Sequence, residues 1–301
     1  MAGAEIILHH YDTSPFSEKV KLLLGLKGLQ WRSVIQRVIM PKPDLVPLTG
    51  GYRRIPVLQI GADVYCDSQV ILAEIAARAG GAPFDPLDWA VNLWADRLFF
   101  MVTVPVIFAE VQAPQEFIAD REKLSGRPFD AAQMRAATPH MAAQWRAEAA
   151  WLDDALAARP FLSGEAPGLA DIAAYMNVWF LWGAVRQTAE RLMAGLNHLQ
   201  AWQGRMRAIG HGTRSELTPA EALAVAKAAE PAPYADHDPN DPLGLAPGAQ
   251  VSVGADDYGR DPIAGTLVAA NARRVVIARE DPALGRLHLH VPRVGYIMAP
   301  A

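Results

Sequence analysis

Three changes of hydrophobic period along the 301 residues limit this chain to a few architectures. In the first stretch, apolar runs alternate with helical patterns. Glu5 to His10 reads as a strand, Phe16 to Leu26 as a helix through Val20, Leu23 and Leu24, and Trp31 to Ile39 as a second strand. After the loop Pro41 to Gly51, the runs Pro56 to Ile60 and Asp63 to Cys66 flank the turn Gly61-Ala62. Ser68 to Ala79 then reads as a helix with Val70, Ile71, Ile75 and Ala79 on one face. The order βαβ followed by ββα describes one small α/β domain over residues 1–80.

From 87 to 229 no strand pattern is visible, and Ala, Leu, Trp and Met recur at helical spacing. Helices are expected at Asp88 to Glu110, Asp130 to Ala158, Leu169 to Arg186, Thr188 to Ile209 and Pro219 to Ala229, with Pro105 kinking or breaking the first. Residues 230–248, rich in Pro and Asp, read as a flexible tether. Residues 249–301 hold five short β-type runs separated by turns at Asp256-Asp257, Asn271 and Asp281-Pro282, which suggests a small closed or half-closed barrel. The fold class is therefore α+β and multi-domain: an α/β domain, an all-α domain and a β-barrel-like module.

An apolar fraction of 51% marks a globular chain, and a net charge of −4 with scattered basic residues gives no footprint for nucleic acid or an anionic membrane. The single cysteine, Cys66, excludes an intrachain disulfide and cysteine-pair zinc sites, which fits a cytoplasmic address. No basic region followed by an apolar run is visible at the N-terminus, so no secretory leader is expected. The apolar stretches Leu98 to Ala109 and Ala173 to Val185 look too short to span a bilayer.

Three dipeptides carry the chemistry. Ser14-Pro15 is an N-cap signature, and the helix terminus it opens presents free amides and partial positive charge to an anion. A serine hydroxyl there either only caps or also donates to a thiolate. Lowering a thiol pKa of about 8.5 by one to two units takes about 1.4 to 2.7 kcal/mol. One hydrogen bond to a charged group supplies about 1.5 to 3 kcal/mol. Tyr11, Thr13 and Ser17 are rival hydroxyls on the same turn. Ile55-Pro56 marks a bend or edge at a strand start, where the Ile55 backbone is free to pair with an extended peptide if the bond is cis. Asp67-Ser68 offers a carboxylate for an ammonium and a helix terminus for a carboxylate, as an amino-acid head group requires. Cys66 reads as an inert core thiol, and His9-His10 as satisfied strand-end histidines, although one of them facing a ligand is the alternative. His288 and His290 alternate on one strand face without acidic or cysteine company at ligand spacing, so no metal is expected.

The stretch Tyr11-Asp-Thr-Ser-Pro-Phe-Ser-Glu-Lys-Val, the strand Ile55-Pro56-Val-Leu and Asp67-Ser68-Gln-Val-Ile resemble the N-terminal thioredoxin-like domain of the glutathione transferase superfamily. The resemblance covers roughly residues 5 to 210, because an all-helical domain follows in that family too. It implies that Ser14 activates the thiol of glutathione, that Ile55 beside cis-Pro56 holds the cysteinyl backbone, and that Asp67 and Ser68 hold the γ-glutamyl end. Lys42, Arg53 and Arg54 become partners for the glycine carboxylate. Gly168-Leu-Ala-Asp171-Ile resembles the capping motif of the family's helical domain, which makes Asp171 structural. Trp94, Phe99, Phe100, Met101 and Phe108 become the acceptor-pocket candidates, or else core. The implied activity is a cytoplasmic, dimeric, detoxifying transferase acting on a small electrophile with glutathione as co-substrate. The alternatives are a binding or regulatory protein on the same fold, or a glutathione-dependent isomerase, dehalogenase or etherase. The segment beyond about residue 230 departs from the family pattern, and the resemblance assigns it no role.

Overall fold

The computed structural model describes residues 5–81 and 83–301. The first domain follows the expected order: β1 (Ile7–His10), α1 (Pro15–Leu26), β2 (Gln30–Ile35), a short α2 (Val46–Thr49), β3 (Val57–Ile60), β4 (Asp63–Cys66) and α3 (Ser68–Ala79). β1 pairs in parallel with β2 and antiparallel with β3, and β3 pairs antiparallel with β4, the thioredoxin-like arrangement. His9 and His10 are both fully buried; His9 is satisfied at both ring nitrogens, whereas His10 Nδ1 has no hydrogen-bond partner. The His9 ring reaches Gln59 at 2.9 Å and Gln36 at 3.2 Å, and His10 Nε2 lies 3.0 Å from Ser33 Oγ. Cys66 is buried and reduced, and burial pushes its thiol up.

The helical region comprises α4 (Asp88–Trp94), a π-helical turn (Ala95–Phe99), α5 (Phe100–Phe108), α6 (Gln115–Ser125), α7 (Ala131–Leu156), α8 (Leu169–Ala184), α9 (Arg186–Met193) and α10 (Asn197–Ala208). After β5 (Thr213–Glu216) comes α11 (Pro219–Lys227). Several expectations change here. The first helix is irregular at the π turn rather than at Pro105, which α5 accommodates. Pro105 removes the donor for the Met101 carbonyl, but Met101 is 56% exposed and water can take that place. Counted as one run, Asp88–Phe108 is 21 residues, and an 18-residue window of it has a mean hydropathy of 1.5, long and apolar enough to cross a membrane by length and composition. In this fold α4 lies along α8 and α5 along α7. The expected helix Thr188 to Ile209 is two helices, separated at Gly195 with φ +81°. The region also contains a strand: β5, exposed along its length, pairs in parallel with β2. Asp171 is structural, as its motif implied. Its buried carboxylate accepts from Leu162 N at 2.7 Å, Ser163 N at 3.0 Å, Gly168 N at 3.1 Å and Trp202 Nε1 at 2.7 Å.

The five expected C-terminal strands are present: β6 (Gln250–Ala255), β7 (Ile263–Ala270), β8 (Arg274–Asp281), β9 (Gly285–Pro292) and β10 (Tyr296–Pro300). They do not close into a barrel. β10 pairs with β6, while β9 runs parallel to β4, so one sheet of ten strands results, in the order β10-β6-β7-β8-β9-β4-β3-β1-β2-β5. The unpaired edges of β4 and β9 cover each other, which removes the need for closure. Val57, Val64 and Cys66 share a hydrophobic cluster with Val251, Ile263, Ile277 and Leu289, so this module and the first domain have a common core. The segment expected to be a loose tether has no regular element but is fastened: Ala232 N donates to Asp63 Oδ2 at 2.8 Å, and Arg293 holds Asp241 at 3.1 Å. The seam also gives His290 acidic company, with Asp63 Oδ1 2.9 Å from its Nε2 across 227 residues of sequence that local spacing could not bridge.

Candidate functional site

Ser14 caps α1 from an extended backbone (φ −79°, ψ 119°), with Pro15 at the first helical position and Oγ accepting from Ser17 N at 3.1 Å. It is 1% exposed, and its backbone N donates to the Tyr11 carbonyl at 3.1 Å. Burial raises the Tyr11 phenol, which therefore stays protonated at neutral pH.

Ile55-Pro56 is cis, immediately before β3. Asp67, between β4 and α3, is the one non-glycine residue with positive φ among the described residues, at 95°. Such backbone is rare for a residue with a Cβ and concentrates at functional sites. Asp67 Oδ1 accepts from Gln69 N at 2.9 Å, which caps α3. Burial pushes its carboxyl up, opposed by Gln69 N, Arg54 and Lys19. Ser68 Oγ accepts from Lys19 Nζ at 3.3 Å. Lys19 is fully buried and also reaches Asn92 and Asp96, each at 2.6 Å. Asp96 belongs to the π turn, and burial outweighs the Lys19 ammonium to push its carboxyl up to about 6.

Ile55, Pro56, Asp67, Ser68 and Arg54 line one cavity of about 50 Å³. Ser14 and Lys42 do not line it. Lys42 Nζ donates to the Arg53 carbonyl at 2.7 Å, and burial followed by Arg121 lowers it to about 8. Arg53 is committed to Asp120 of α6 at 2.5 Å. Of the acceptor candidates, Phe99 is fully buried and stacks on Trp94, and Met101 faces outward. Phe100 packs edge-on against Phe16 of the cavity wall, with centroids 4.9 Å apart.

The rest of the wall comes from residues that carried no local signal. Arg54 pairs with Asp257, and its guanidinium carbon lies 3.9 Å from the Tyr258 ring centroid. Tyr296 Oη lies 3.2 Å from Asp67 Oδ2 and 3.4 Å from Tyr52 Oη. Arg97 of the π turn holds Asp256 at 2.7 Å. Three of these module residues, Asp257, Tyr258 and Tyr296, therefore rest directly on Arg54 and Asp67 of the frame, while Asp256 is held by Arg97 beside it. Small-molecule pockets run about 300 to 1,000 Å³, so the space left is a fraction of what a tripeptide needs. As a donor set, the frame fits an amino-acid head group: a half-buried carboxylate, the buried serine at the start of α3 and a guanidinium.

The family described as glutathione S-transferase, N-terminal domain, matches residues 8–83, and that described as glutathione S-transferase, C-terminal domain, matches residues 133–203. A GST-like protein from Pseudomonas syringae superposes with a TM-score of 0.82 at 33% identity, over 99% of this chain and 100% of that one, C-terminal module included. Glutathione S-transferase U4 from Arabidopsis thaliana is 26% identical over 110 residues, 36% of this chain and 49% of that protein. A probable glutathione S-transferase from Solanum tuberosum is 32% identical over 96 residues, 31% of this chain and 44% of that protein. The chain spans about half the length of the curated relatives it matches. A tau class glutathione S-transferase from mango, Mangifera indica, shares the fold over 68% of this chain and 89% of its own, with a TM-score of 0.53 at 18% identity. With an N-terminal thioredoxin-like domain, a helical domain and a full-length relative that also carries the added strands, this chain belongs to the glutathione transferase superfamily.

Proposed function

We propose that the chain is a glutathione transferase-like enzyme whose glutathione site is gated by its C-terminal β-module. The observation that carries this reading is the single cavity wall on which Ile55, Pro56, Asp67, Ser68 and Arg54 converge under Tyr296 and Tyr258. In it, Asp67 and Ser68 hold the γ-glutamyl end, the Ile55 backbone holds the cysteinyl unit, and Arg54, assisted by Lys42, takes the glycine carboxylate. Ser14, at the positive end of α1, stabilises the thiolate, which attacks a small apolar electrophile beside Phe16 and Phe100. Access requires the Arg54 to Asp257 pair and the Tyr296 to Asp67 bond to give way, which turns both Arg54 and Asp67 toward the ligand.

A cytoplasmic homodimer belongs to the same reading. It is supported by a single buried, reduced cysteine and by exposed Leu98 and Met101, three residues apart on the helix 88–108. Light scattering checks the dimer.

A second reading has an observation of its own. Tyr296, Tyr258 and Asp257 line the pocket and leave about 50 Å³ in it, as in a binding or regulatory protein that has given up turnover. Calorimetry with reduced glutathione separates the two. The enzyme reading predicts saturable binding at one site per chain and conjugation with at least one electrophile in a panel that includes isomerase, dehalogenase and ether-cleavage substrates. Absence of glutathione binding favours the second.

A further inference from the structure

At the seam between the two sheets, Asp63 of β4 stands opposite His288 of β9, and Tyr65 stands opposite His290. The period of two places Asp63, His288 and His290 on one face of the sheet. His290 Nε2 is 2.9 Å and His288 Nδ1 3.8 Å from the same oxygen, Asp63 Oδ1, and the three donor atoms lie within 4.8 Å of one another. All three side chains are buried.

We infer that Asp63, His288 and His290 bind a divalent transition ion of the zinc class, which staples the C-terminal module to the thioredoxin-like sheet. The inference does not depend on glutathione binding.

Two imidazoles and a carboxylate form a donor set such ions favour. Bonds of about 2.0 to 2.2 Å at tetrahedral angles put ligand atoms about 3.3 to 3.6 Å apart, and the observed 2.9 and 3.8 Å bracket that separation. A neutral imidazole offers one lone pair to such an ion. His288 Nδ1 has no hydrogen-bond partner and faces the Asp63 carboxylate. Two electron-rich atoms facing each other away from water call for a cation between them. Asp63 Oδ2 accepts from Ala232 N at 2.8 Å, an outer bond of the kind that fixes a ligating carboxylate. The His290 ring is held by stacking on Tyr65, with centroids 4.3 Å apart. The charged neighbours are Arg286 beside His288, and Arg274 and Glu74 beside His290. Arg274 and Glu74 pair with each other at 3.0 Å, which limits their effect on an ion.

The full chain, stripped with a chelator, is titrated with zinc by calorimetry and with cobalt by visible absorption. One ion per chain is expected, with the ligand-field band of a four-coordinate site. Asp63→Asn, His288→Asn and His290→Asn should each weaken zinc affinity by about a hundredfold or more, since outer-sphere changes alone cost about 10- to 100-fold. His198→Asn, on the surface of α10, should leave it unchanged. Histidine-ring NMR of the unsubstituted chain keeps the test valid should a variant misfold: one equivalent of zinc should shift His288 and His290 and spare His9 and His10. Absence of saturable binding, binding that survives Asp63→Asn, or zinc shifts that miss His288 and His290 would each overturn the inference.

Discussion

Replacing Asp257 with alanine should tighten glutathione binding, although Asp257 lies on an appended module with no counterpart in the sequence motifs. In the closed form, Asp257 pairs with Arg54, whose side chain is 11% exposed, while that of Asp257 is 29% exposed. A hydrogen bond to a charged partner contributes about 1.5 to 3 kcal/mol, and partial exposure places this pair near the lower end, about 2 kcal/mol. The Arg54 to Tyr258 contact remains, so the closed form is weakened rather than abolished. Apparent affinity scales with the fraction of open molecules, and about 2 kcal/mol raises that fraction about 30-fold until the open form dominates. Calorimetric titration of both proteins with reduced glutathione should therefore show a dissociation constant about 10- to 30-fold lower for Asp257→Ala. An unchanged constant would remove gating by the module from the account. A weaker one would make Asp257 part of the ligand site.

Ser14→Ala should cost about 1 kcal/mol through the lost cap and raise the pKa of bound glutathione thiol by a unit or more, read by thiolate absorbance. Ser14→Asp keeps the cap acceptor without a donor, so turnover should fall in both variants while stability falls only in the first; unchanged turnover in both would reduce Ser14 to a cap. Asp171→Ala orphans the four donors on its carboxylate and should lower stability by at least about 3 kcal/mol in urea unfolding; a loss under about 1 kcal/mol would contradict the buried network. Burial lowers His9 and His10 to about 4, so below pH 6.5 the unfolded chain binds protons that the folded chain refuses, and stability falls with pH. Asp96, raised to about 6, acts in the opposite sense from there downward. The net expectation for these three groups is a loss of about 1.4 kcal/mol per pH unit between about pH 6 and 4, seen as a falling urea midpoint; a flat profile would contradict it.

The elements that the sequence made legible are those whose signals are local. Pro15 after Ser14, the Gly61-Ala62 turn, and the capping motif at Asp171 all act within a few residues, and each is where its neighbours placed it. β5 escaped because four exposed residues carry no apolar alternation, and its pairing with β2 is a matter of proximity alone. The barrel expectation failed for a related reason. Five strands with good turns can close or can pair outward, and the free edge of β4 decided the matter from some 220 residues away. The site divides in the same way. Ile55-Pro56 and Asp67-Ser68 announce themselves through backbone chemistry, whereas Tyr296, Tyr258 and Asp257 meet them only through tertiary packing. Lys19 sits in α1 like any helix-forming residue, and only the fold reveals it buried between Ser68 and Asp96.

Hydrogen exchange of the unsubstituted chain with and without reduced glutathione tests the central claim most directly, since it reports the frame and the gate together. The account predicts slower exchange at Ile55 and Gln69 and faster exchange at Asp257 to Gly259 and around Gly295, as ligand replaces module on the same residues. Unaltered exchange at both places, at saturating glutathione, would contradict it.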